Sequence, residues 1–147
     1  CKKFKEAEKL MNSKNYKNLL NDQQEKVNLF NYYYEKEEYD TALKISNDPL
    51  ISGTYIFLKA QVLAQKGDIK AVREILNVQM MKNINKAIIF AILEERDSMY
   101  YNLYQDKNLI YMIRPFNGLQ EFDPYRKEER YKEYLRKNYL PITHWNE

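Results

Sequence analysis

The sequence predicts an all-α fold, an irregular solenoid of helix-turn-helix pairs with a C-terminal capping helix. Three observations predict it. Apolar residues recur at helical spacing along the chain. Only three Gly and four Pro occur in 147 residues, too few for the many tight turns of an all-β fold. The apolar stretches also come as pairs, each a longer helix, a tight turn and a shorter helix. A hairpin of that kind stacks on a neighbour because it cannot bury its apolar face alone.

The elements follow in order. "FKEAEKLM" places Phe4, Ala7, Leu10 and Met11 on one face, and "YKNLL" pairs with it through Tyr16, Leu19 and Leu20. "KVNLFNYYYEK" puts Val27, Phe30, Tyr33 and Tyr34 at helical spacing. Its partner, "EYDTALKI", carries Tyr39, Ala42, Leu43 and Ile45 and is stopped by "NDP", Asn47 to Pro49. "SGTYIFLKAQVLAQKGD" turns Ile56, Leu58, Ala60, Leu63 and Ala64 inward, answered by Ile69, Val72, Ile75 and Leu76. "NKAIIFAILEERD" and "SMYYNLYQ" make a further pair. Then "LIYMI" leads through Pro115 and Gly118 to a closing helix. Turns are expected at "SKN", "KEE", "KGD" and "ERD". Corresponding points recur at similar but irregular intervals, as from Ala42 to Ala71 and from Leu76 to Tyr104.

Composition bounds the rest. Hydrophobic residues make up 44% and charged ones 31%, a globular balance. The length suits one domain, 1–147, with 120–147 as its capping tail. A net charge of +3 comes from 24 basic and 21 acidic residues. Lysines alternate with glutamates, which argues against a segregated nucleic-acid stripe. The longest apolar run, Ala87 to Leu93, falls far short of the ~20 residues of a membrane helix. With Cys1 as its single cysteine the chain forms no internal disulfide. A start at Cys rather than Met implies that something upstream has been removed. A cytoplasmic setting is favoured, with a periplasmic or Cys1-lipidated protein as the alternative.

The residues resemble a family. "YYEKEEYDTAL", Tyr33 to Leu43, is similar to the tetratricopeptide repeat, with Tyr33, Tyr39 and Ala42 at its aromatic and small positions and Leu29 one turn earlier. Glu37 stands where the turn glycine is usual. "AQVLAQKGDIKAV" resembles the next repeat, with Ala60 at the small crossing position, Leu63 at the bulky one, and Gly67 and Asp68 in the turn. "FDPYRKEERYKEYLRKNYLP", Phe122 to Pro141, resembles the tail that closes many bacterial proteins of this family. Asp123 is expected to cap that helix and Pro124 to open it. Tyr131, Tyr134 and Leu135 are expected to face the last hairpin, and Lys127, Glu128, Lys132 and Lys137 the solvent. The tail's place in the family implies a native C-terminus near Glu147.

The resemblance implies a non-catalytic protein-protein interaction module. Its binding surface is a concave groove lined by the first helices, here Val27, Asn31, Tyr34, Thr54, Phe57 and Gln61, with Ala64 beside them. The basic positions of the clamp for C-terminal carboxylates are absent and only Asn28 and Asn31 have counterparts, so a peptide or protein partner is expected, without direct nucleic-acid binding. The alternative is a C-terminal sensor domain of a larger bacterial regulator or signalling enzyme. No cofactor or metal is called for. His144 is the single histidine, without a placed nucleophile, and Gly53, Gly67 and Gly118 are isolated. The fourteen tyrosines are read chiefly as hairpin core.

Overall fold

The computed structural model describes residues 2–11, 13, 21–78, 81–105 and 119–138. Among them all regular structure is helical and no strand occurs. The chain divides into two compact units, Cys1–Val78 and Gln79–Glu147. The first unit holds α1 (Lys2–Met11), α2 (Asp22–Glu35), α3 (Tyr39–Ser46), α4 (Ile56–Gln65) and α5 (Ile69–Val78). The second holds α6 (Asn83–Ile92), α7 (Arg96–Gln105), a 3-10 turn (Gln120–Tyr125) and α8 (Glu129–Lys137). The expectations placed on Cys1, Tyr16, Leu19, Leu20, "LIYMI", Pro115, Gly118, Leu140, Pro141 and His144 lie outside the described residues.

Local chemistry sets the helix ends. Asn21 starts α2: its Oδ1 accepts the Gln24 amide at 2.8 Å, while Asp22 and Glu25 suit the positive N-terminus. Asp68 does the same for α5, accepting the Ala71 amide at 3.1 Å. After α3, Asn47 Nδ2 donates to the Leu43 carbonyl at 3.0 Å, and Asp48 Oδ1 accepts the Leu50 amide at 3.0 Å. The "NDP" stop is therefore a side-chain turn.

Three hairpins, α2–α3, α4–α5 and α6–α7, close with the same hydrogen-bond pattern. Glu37, Gly67 and Glu94 take left-handed φ of 60°, 75° and 57°. Each donates its amide to the carbonyl three residues back, Tyr34, Ala64 and Ala91, at 2.9, 3.0 and 3.1 Å. The next residues, Glu38, Asp68 and Glu95, reach back five residues to Tyr33, Leu63 and Phe90, each at 2.9 Å. This is the Schellman cap, repeated three times. It corrects the last turn, expected at "ERD": the reversal occurs at Leu93–Glu95.

The caps supply a common register. Seven residues before each left-handed position stand Phe30, Ala60 and Ala87; five after stand Ala42, Val72 and Met99. All six are completely buried. Ala42 thus corresponds to Val72, not to the neighbouring Ala71. Each hairpin has one small and one larger residue at these places, which keeps the helices close while filling the space between them. Leu10 and Ile69, expected inward, are 59% and 45% exposed. Phe4, Ala7 and Met11 are half-buried, as Val72 leads the inward face of α5.

In the second unit the tail lies on the α6–α7 hairpin. Phe122, Tyr125, Tyr131, Tyr134 and Leu135 join Ile84, Ala87, Ile88, Ala91, Met99, Tyr100 and Leu103 in one core. Tyr125 Oη donates to the Ala91 carbonyl at 3.1 Å, and Tyr104 Oη to the Arg130 carbonyl at 3.0 Å. Tyr100 Oη donates to Glu128 Oε2 at 2.9 Å beneath the Arg130 guanidinium, 4.3 Å from its ring centre. Arg96 pairs with Glu128 at 3.1 Å and Arg130 with Asp97 at 3.0 Å. Tyr131, Tyr134 and Leu135 face inward as expected, but Asp123 and Pro124 do not open α8. They lie in the 3-10 turn, Asp123 pairs with Arg126, and α8 begins at Glu129 after Glu128. Two buried aromatics, Phe122 and Tyr125, flank the Asp-Pro pair, so packing shapes it as a turn.

Candidate functional site

The candidate surface belongs to the first unit, on α2, α4 and the turn before α4. Asn31 and Thr54 are exposed, and Val27 and Phe57 are half-buried against the unit's core. Tyr55 stands beside Phe57, ring centres 6.0 Å apart. Glu35, also exposed, shares the Asn31 face one turn on. Gln24 Nε2 donates to Asn28 Oδ1 at 3.0 Å one turn before Asn31.

Tyr34, Gln61 and Ala64 are placed differently from the expected groove. Tyr34 is only 3% exposed and belongs to the core with Phe30, Ala42, Ile51, Leu58 and Val62. Its ring stacks on Phe30 at 5.8 Å and meets the edge of Tyr39 at 5.7 Å. Its hydroxyl accepts a hydrogen bond from Gln65 Nε2 at 3.1 Å. The cap explains this: Tyr34 lies three residues before Glu37, where the chain folds back and α3 begins, so its ring is drawn toward the hairpin partner. Gln61 and Ala64 are buried as well. The aromatic expected to present itself to a partner is thus a core residue, and Asn31, Thr54 and part of Phe57 remain to solvent.

Sequence reasoning missed the links around this surface. Gln65 reaches Tyr34 from α4, and Lys66 pairs with Asp40 of α3. Lys26 of α2 pairs with Asp48 at 2.8 Å. The partners in these three links come from different elements, beyond the reach of any local periodicity. The hydrogen bond from Lys26 holds the Asp48 carboxyl below its ordinary pKa, and Asp48 raises that of Lys26. Lys36 sits over the Tyr32 and Tyr33 rings at 5.2 and 5.8 Å.

Chemically the surface offers a carboxamide donor and acceptor, a hydroxyl, and apolar edges from Val27 and Phe57. That set suits hydrogen bonding and apolar contact. Among the described residues no group of three or more His, Cys, Asp and Glu side chains is arranged to hold a metal ion, and no helix is long and apolar enough to cross a membrane. No family model matches the chain, and comparison with curated proteins and with solved structures returns no match.

Proposed function

We propose that this chain is a non-catalytic interaction module of tetratricopeptide type, which takes a peptide or protein partner on the first-helix face of residues 1–78. The observation that carries the reading is the common cap register of the hairpins. Repeated hairpins of one geometry form scaffolds whose binding surfaces come from side chains at equivalent places. In the first unit Val27 and Phe57, each ten residues before its cap, are such a pair, both half-buried, with the exposed Asn31 one turn after Val27 and the exposed Thr54 three residues before Phe57.

A photoreactive amino acid placed at Asn31 or Thr54 tests this in the source cell, with the exposed Lys70 on α5 as control. Asn31 and Thr54 are both expected to give the same discrete protein adduct, and Lys70 none. The double substitution Asn31→Arg and Thr54→Arg should reduce capture of that partner at least tenfold relative to wild-type bait while the helical signal holds, since exposed changes usually alter stability within about 0.5 kcal/mol. Equal adducts from all three positions, or unchanged capture, would overturn the proposal.

A further inference from the structure

We draw no further inference here: the strongest candidate, the exposed pair Tyr101 and Tyr104 on α7, is neighboured by the ion pairs Arg130–Asp97 and Lys137–Glu133, and nothing in the structure shows what covers it.

Discussion

Glu37 and Glu94 hold backbone conformations that glycine adopts without steric penalty. A left-handed φ costs an L-residue ~1–2 kcal/mol, offset in part by the ~0.5–1 kcal/mol that a glycine loses in chain entropy. Glu37→Gly and Glu94→Gly are each expected to stabilise the fold by about 0.5–1 kcal/mol, read as a higher midpoint in urea. Gly67→Ala should lower it by about 1–2 kcal/mol, although no atom lies within 4 Å of the added methyl. Opposite signs at matched positions would show that backbone strain governs all three turns. "KGD" was legible because Gly announces its conformation, and Glu37 because flanking aromatics framed it. Glu94 was misplaced because glutamate favours helices and carries no left-handed signal. A second residue-scale expectation concerns alkali. Burial pushes the Tyr131 hydroxyl up to about 12 from an ordinary 10.0, and raises Tyr100 too, assisted by the neighbouring Glu128 carboxylate. The unfolded chain loses these protons first. The stabilisation is therefore complete below pH 10 and declines as pH rises toward 12. The last part of the tyrosinate absorbance and the loss of helical circular dichroism, followed together, should occur in one cooperative step. Ionisation of every tyrosine near pH 10 with the helices intact would contradict the burial.

At the scale of the element, the matched pairs Phe30 with Ala42, Ala60 with Val72, and Ala87 with Met99 govern how each hairpin closes. Ala42→Leu and Ala60→Leu are expected to overpack these sites at a cost of ~1–3 kcal/mol each, seen as a lower thermal midpoint with helical content retained. An unchanged midpoint in both would invalidate the register. Ala42 and Ala60 were readable from the sequence as small residues between apolar neighbours. The exchange of large for small was not, because Phe30 resembles any other core aromatic until the cap at Glu37 fixes its place. The same limit applied to Tyr34. Helical spacing tells which residues share a stripe, but a slight change in the direction of the next helix decides whether an edge residue meets solvent or core. Asn31 and Thr54, both polar, were less sensitive to it.

For the whole molecule, each unit depends on its own apolar cluster. Tyr131 belongs to that of the second unit, so Tyr131→Ala should cost about 3–5 kcal/mol. Hydrogen exchange should then show amides of α6 and α7 losing protection, although neither helix is altered. Arg136→Ala, which removes an exposed pair with Glu129, should leave those amides as they were. Equal effects would mean that the tail does not support the hairpin. The tail was legible as a closing element through Tyr131, Tyr134 and Leu135; its helix start was not, because Asp-Pro fits a 3-10 turn as well as an α-helix. The repeated caps also bear on length variation. From each left-handed residue to the first buried residue of the following helix is always five positions, whereas the spacing between successive left-handed residues, Glu37, Gly67 and Glu94, is not constant. One residue added between Glu38 and Ala42 would rotate all of α3 by about 100° and turn its buried side outward. One added beside Gly53, which is exposed and has open space for a side chain, falls between α3 and α4 and leaves the count within each hairpin unchanged. Insertions and deletions accumulating over time are thus channelled into the links between hairpins, while the turns within them keep their count.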